Sequence, residues 1–244
     1  MTEYGPATYG DRMAGVYDGW FGTPGDAEAA VAFLKDLAGP GPALELGIGT
    51  GRVAIPLARE GVEVRGIDAS EAIVERLRAK PAGGDIPVTL GDFAEVGVDG
   101  SFLLVYVVFN TLFALLTQED QARCFSNVAR RLEDGGAFVV QAFVPDLSRF
   151  VSDQTTQTRH VGPDEVVLEC SSHDPVRQRV DSQNVVMRED GTRLYPVSLR
   201  YAWPSELDLM ARLAGLNPAA RYGGWLKEPF TRRSETHVSV YEKV

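Results

Sequence analysis

Between Ala43 and Phe143 short apolar runs alternate with stretches that repeat every three to four residues. Ala43–Leu46, Val62–Asp68, Val88–Leu90, Phe102–Phe109 and Ala137–Phe143 read as strands. Phe102–Phe109 is apolar throughout its eight residues, as a strand covered on both faces requires. The intervening segments read as helices. Arg52–Arg59 follows the first strand, and Ser70 is a candidate N-cap for a helix with Ile73 and Leu77 four apart. Gln118–Leu132 carries a stripe of Ala122, Phe125, Val128, Ala129 and Leu132, stopped by Gly135-Gly136. Alternation of this kind predicts an α/β fold around a doubly wound, mostly parallel sheet.

The flanks follow other rhythms. Ahead of the first strand, Tyr4, Tyr9, Tyr17, Trp20 and Phe21 mark an aromatic, helical segment that breaks at Thr23-Pro24-Gly25. Ala27–Leu37 is a further helix, with Ala30, Phe33, Leu34 and Leu37 on one face, ended by Gly39-Pro40-Gly41-Pro42. After Pro145, Val166–Leu168, Arg177–Arg188 and Arg193–Tyr201 read as strands, and Asp190-Gly191 as the hairpin turn between the last two. Val197, Leu199 and Tyr201 alternate with Ser198 and Arg200, so one face of that strand is buried. Ser205 and Asp208 suggest a capped helix with Leu207, Met210, Ala211 and Ala214 inward, closed by Gly215. Asn217–Tyr222 and Thr236–Glu242 complete the strands. The predicted organisation is an N-terminal helical lid (1–40), a core (41–145 and 203–244) and an antiparallel β insert (146–202).

Composition narrows the chemistry. The 244 residues are 44% hydrophobic and 24% charged, within the range of an ordinary globular chain. A net charge of −10 disfavours a nucleic-acid partner, which needs a basic face. No apolar run approaches the ~18 residues of a membrane span, and the N-terminus has neither the basic start nor the apolar core of a signal peptide. Cys124 and Cys170 lie in no metal-ligand spacing, so buried thiols in a reducing cytoplasm are the natural expectation. His160, His173 and His237 form no HExxH-like pair, and no metal is expected.

Glu45-Leu46-Gly47-Ile48-Gly49-Thr50-Gly51 carries the most chemistry. A strand running through glycines into a helix lets backbone approach a ligand without Cβ interference and presents N–H groups at a helix start. A dinucleotide fingerprint would place its third glycine at 52, where Arg52 stands, so the spacing disfavours a nicotinamide dehydrogenase. An acid two residues before Gly47 suits a nucleoside with an amino-acid tail better than a pyrophosphate. Asp68 closes the second strand, where a carboxylate accepts both hydroxyls of a ribose. Asp92 and Phe93 follow the third, placed for an adenine amino group and ring.

These motifs, ELGIGTG (45–51), GID (66–68) and GDF (91–93), resemble those of the class I S-adenosylmethionine-dependent methyltransferases. The resemblance implies a Rossmann-like sheet whose last strand runs antiparallel, and S-adenosyl-L-methionine as cofactor with S-adenosyl-L-homocysteine as product. It also implies that Gly47, Gly49 and Gly51 pack under methionine and ribose, Glu45 faces the methionine end, Asp68 with Ala69 meets the ribose, and Asp92 and Phe93 meet the adenine. Arg52 and Phe109 are further cofactor candidates. The acid that often opens the fourth strand in this family is missing at Ser101-Phe102-Leu103.

A narrower resemblance, to actinobacterial sugar-amine and antibiotic N-methyltransferases, rests on the Tyr17-Asp18 pair and the insert. It implies that the lid tyrosine reaches the cofactor. Tyr9, Tyr17 and Phe113 are the catalytic candidates; Tyr9, Trp20, Asn110 and His160 are the acceptor-binding ones. Each also admits a plain packing or surface role. Phe109-Asn110-Thr111-Leu112 stands where enzymes acting on nucleobases or glutamine amides carry D/N-P-P-Y, which points to a different acceptor. A neutral amine needs no strong base, so N-methylation of a small molecule leads. An O- or C-acceptor with His160 or a tyrosine as base is the alternative, and a non-catalytic cofactor-binding module is a third reading. An exposed insert hairpin pairing between chains would give a homo-oligomer.

Overall fold

The computed structural model describes residues 4–21, 26–39 and 41–244. Its centre is a seven-stranded sheet built from β1 (Ala43–Leu46), β2 (Val64–Asp68), β3 (Val88–Leu90), β4 (Phe102–Val107), β5 (Leu132–Phe143), β10 (Leu216–Tyr222) and β11 (Thr236–Lys243). The spatial order is β10-β11-β5-β4-β1-β2-β3. Strands β1 to β5 pair in parallel, and β11 is antiparallel to both of its neighbours, β5 and β10. The order turns back between β1 and β4, which creates a crevice at their carboxyl ends, where open α/β sheets take ligands.

Strand β4 shows why the sheet is central. Val105 and Val107 join one apolar cluster with Phe125, Val128, Leu207 and Met210 of helices α6 (Gln118–Arg131) and α7 (Pro204–Leu213). Leu104, Tyr106 and Val108 join the opposite cluster with Leu34 and Leu57 of helices α3 (Asp26–Ala38) and α4 (Ala54–Arg59). A strand buried on both faces must be apolar at every position, and each such side chain contributes roughly 1.5–3 kcal/mol. Helix α3 thus flanks the sheet, although the sequence groups it with the N-terminal lid. Helix α5 (Glu71–Arg78) is capped by Ser70, whose Oγ accepts from the Ile73 N–H at 3.3 Å. The Thr23-Pro24-Gly25 break and Pro40 lie outside the described residues.

Several boundaries differ from the sequence expectation. Strand β5 begins at Leu132, directly after α6, and its register against β4 shifts between Phe102 and Leu104. Gly136 sits where a Cβ would lie 2.8 Å from the Glu133 carbonyl oxygen, so the glycines shape a bulge rather than end the helix. Helix α7 starts with Pro204 and has Trp203 as N-cap, with no side-chain cap. Ser205 and Asp208 do not form the expected capping pair: Asp208 instead accepts from the Tyr241 hydroxyl at 3.1 Å and pairs with Arg221.

The insert is a four-stranded antiparallel sheet in the order β6 (Gln154–Val161), β7 (Glu165–Asp174), β8 (Arg179–Arg188), β9 (Gly191–Arg200). Its first strand has no counterpart in the sequence expectation. The β8–β9 hairpin turns at Glu189-Asp190, one residue before the predicted pair, because Arg188 faces Gly191 across the ladder. Helices α1 (Thr8–Met13) and α2 (Tyr17–Phe21) bridge insert and core. The Ser198 N–H donates to the Tyr4 hydroxyl at 3.2 Å, and Trp20 lies edge-on to Tyr195, 5.0 Å between centroids.

Candidate functional site

A cavity of about 1580 Å³ opens between the carboxyl ends of β1 to β4, the α1–α2 segment and the insert. Its floor begins at the turn after β1. Gly47 has φ +66°, and a Cβ there would meet Thr111 Cγ2 at 2.4 Å. Only glycine lets this turn pass under the 3₁₀ turn Thr111–Ala114. Gly49 donates its N–H to Asp68 Oδ2 at 2.9 Å, and Ser70 donates its N–H to Asp68 Oδ1 at 3.0 Å. Each carboxylate oxygen keeps a further acceptor site. Burial pushes the Asp68 pKa up against the pull of those backbone donors. Asp92 Oδ1 accepts from the Ala94 N–H at 2.8 Å, which fixes the turn after β3 beside Phe93.

Gly47, Gly49, Asp68, Ala69, Asp92, Phe93, Phe109 and Asn110 all line this cavity, as do Tyr9, Tyr17, Trp20 and His160. Four sequence candidates do not. Glu45 is 3% exposed beneath the turn, accepting from the Tyr106 hydroxyl at 3.0 Å, and burial raises its pKa to about 8. Gly51 faces Ile55 and Leu77. Arg52 lays its guanidinium 3.8 Å from the ring centroid of Phe109, which does line the cavity. Phe113 has no exposed surface and packs edge-on against Phe143 at 5.0 Å, so the catalytic role expected of it is corrected to a core role.

The β4 end carries backbone strain. Phe109 and Asn110 have φ of +53° and +65°, conformations that cost on the order of 1–3 kcal/mol for side chains of this kind. They are held by the Gln141 carbonyl, which accepts from the Asn110 N–H at 3.2 Å, and by Asn110 Oδ1, which accepts from the Phe143 N–H at 2.6 Å. Across the cavity, Tyr9 and Tyr17 stand with rings perpendicular and 6.4 Å apart. Burial raises both phenol pKa values, for Tyr17 against the opposing pull of Arg52, so both are neutral hydroxyls at physiological pH.

The insert wall contains groups that periodicity does not single out. Tyr201 lines the cavity, and its hydroxyl lies 3.0 Å from Nε2 of buried His173, itself stacked on Phe150. Glu169 bridges Arg149 and Arg159 on the same wall. Alternation on β9 marks Val197, Leu199 and Tyr201 as its buried face; Val197 and Leu199 are only half-buried where they line the cavity, and the polar Ser198 and Arg200 opposite them are buried instead. Among the described residues no group of three or more His, Cys, Asp or Glu is placed to hold a metal ion, and no helix is long and apolar enough to cross a membrane.

Comparison with known proteins agrees with this geometry. Residues 43–136 match a methyltransferase domain family. The chain is 30% identical over 201 residues to a cypemycin N-terminal methyltransferase from a Streptomyces species, covering 82% of each protein. It is 42% identical to the CcbJ methyltransferase of Streptomyces caelestis, whose structure superposes with a TM-score of 0.93 over 99% of this chain and 100% of that one. The S-adenosylmethionine-bound amino pentose methyltransferase CalS10 of Micromonospora echinaspora shares the fold at 19% identity, with a TM-score of 0.70 over 94% and 97% of the two chains.

Proposed function

The chain belongs to the class I S-adenosylmethionine-dependent methyltransferases, and from that premise we propose that it methylates an amine nitrogen of a small natural-product molecule. The residues fit the cofactor. The backbone of the Gly47–Gly49 turn reaches the cavity, held close under Thr111 where only glycine fits, and Asp68 offers fixed carboxylate oxygens at a strand end. In this reading Asp68 and Ala69 hold the ribose, Asp92 and Phe93 the adenine, and the turn at 47–49 with Tyr17 the methionine portion. When bound, the cofactor supplies an electrophilic methyl on a sulfonium.

The observation that carries the amine reading is the pair of phenols, Tyr9 and Tyr17, set edge to face on the cavity wall. A phenol that stays protonated is a poor base but a good dipole. It can orient an uncharged amine, whose lone pair is already nucleophilic, and its oxygen attracts a cationic centre. The enzyme's contribution is then alignment and exclusion of water, effects worth about 7–11 kcal/mol in model systems. The α1–α2 segment closes one side, and the insert (146–202) supplies the acceptor wall. A cavity of about 1580 Å³ exceeds the ~300–1,000 Å³ of most small-ligand sites, which suits cofactor and acceptor together. The relative named for methylation of an N-terminus supports a nitrogen acceptor.

One observation favours a second reading. The Tyr201–His173 pair could take a proton from a hydroxyl acceptor, which would make the enzyme an O-methyltransferase. The test is methyl transfer from isotope-labelled S-adenosylmethionine to matched sets of peptide N-termini, aminosugars and phenols, read by mass spectrometry. Label on nitrogen is expected. Label carried only on oxygen or carbon would overturn the amine reading.

A further inference from the structure

The N-terminal segment is fastened to the cofactor turns by two acids that the catalytic reading leaves unused. Asp18, on α2, accepts from Thr50 Oγ1 at 2.7 Å and from Lys80 Nζ at 2.8 Å. Lys80 also donates to the Thr50 carbonyl at 2.9 Å, so Asp18, Thr50 and Lys80 close one hydrogen-bonded ring over the glycine turn. Thr50 is buried at 1% exposure, whereas the Asp18 and Lys80 side chains are 48% and 32% exposed. The second fastening is at α1. Asp11 Oδ1 accepts from Ser70 Oγ at 2.6 Å, and the N–H of the same Ser70 donates to Asp68. Gly10 permits this approach, since a Cβ there would lie 2.4 Å from Ser70 Cβ.

The two fastenings meet the two turns that Asp68 ties together through the Gly49 and Ser70 N–H groups. Between them they hold Tyr9 and Tyr17 over the cavity. We infer that Asp11 and Asp18 are positioning residues that dock the N-terminal segment onto both cofactor turns, so that the cofactor leaves only when this latch opens. The Asp18 side is the weaker half: its ion pair is accessible to solvent and is screened by salt. On the Asp11 side Asp11 itself is exposed, but its partner is the neutral Ser70 hydroxyl, 1% exposed, and the contact acts on the Asp68 carboxylate through Ser70.

The inference rests on the cofactor assignment, and the experiment separates the two. S-adenosylhomocysteine binding to the full chain is followed by stopped-flow fluorescence, with calorimetry for the equilibrium constant, in the parent, Asp18→Asn and Asp11→Ala. The expected result is a dissociation rate raised at least tenfold in each variant, with the association rate unchanged or faster, because an open segment no longer obstructs entry. In the parent, raising salt from 50 to 500 mM speeds dissociation, and Asp18→Asn removes that dependence. Dissociation within twofold of the parent, or weaker binding that comes only from slower association, overturns the latch, since the latter marks damage to the turns themselves. A parent that does not bind S-adenosylhomocysteine overturns the cofactor assignment instead.

Discussion

Glu45 is a carboxyl placed where water cannot reach it, between Leu44 and Leu46 on the central strand. Burial lifts its pKa to about 8, against the pull of the Tyr106 hydroxyl and the Ala54 N–H. In the unfolded chain an ordinary Glu titrates near 4.3. The folded state therefore binds this proton more tightly, so the group's stabilising contribution is complete below about pH 4.3 and is lost as pH rises through 8. At roughly 1.4 kcal/mol per unit the loss amounts to several kcal/mol. Glu45→Gln should flatten this decline. Urea unfolding of parent and variant at pH 5 and pH 8 checks it: the difference between the two proteins should shift toward the variant at the higher pH. At this scale the sequence was legible for Asp68 and Asp92, whose positions at strand ends place them in the crevice in any parallel sheet of this type. It was less legible for Glu45 and Phe113. Neither lines the cavity, because the side each presents depends on the packing around it, which no local pattern encodes.

Helix starts show the same division one level up. Thr117 precedes α6 and accepts from the Asp120 N–H at 3.0 Å, a working N-cap. Ser205 has the capping side chain but lies inside α7, because Pro204 already occupies the first turn with its fixed φ and Trp203 takes the cap position. Thr117→Ala should therefore destabilise the protein by about 1 kcal/mol, whereas Ser205→Ala should change stability by less than about 0.5 kcal/mol. Thermal melts of the two variants compare them directly, and equal losses would contradict the observed helix boundary. Strand β6 escaped sequence reading for a related reason. QTTQTRHV is an edge strand, mostly exposed and polar, so it has no apolar alternation to show, and only its ladder to β7 defines it. The core strands were legible because burial on two faces forces an apolar run.

Across the whole molecule, a buried polar network helps to join the insert to the core. Arg200, at the end of β9, is 5% exposed and donates to Gln121 of α6 at 2.7 Å and to Glu206 of α7 at 2.6 Å. Gln178 donates to Glu206 at 2.9 Å, and Gln118 donates to it at 2.6 Å. Burial alone would raise the Glu206 pKa, but the hydrogen bonds from Arg200, Gln178 and Gln118 outweigh it and hold the carboxyl below its ordinary range. A depressed folded-state pKa means that the contribution is present above the unfolded value of about 4.3 and disappears as pH falls through the lower folded value. Acid should therefore loosen the insert from the sheet before it unfolds the sheet, whose packing is apolar. Glu206→Ala should reproduce that loosening at neutral pH, because it leaves the buried Arg200 cation without its carboxylate, a change worth about 3–5 kcal/mol. Hydrogen exchange reads the two regions separately: amides of β7 to β9 should lose protection in the variant while those of β1, β4 and β5 keep theirs. Uniform loss over both sheets would mean that insert and core unfold as one unit, and that the insert has no independent mobility.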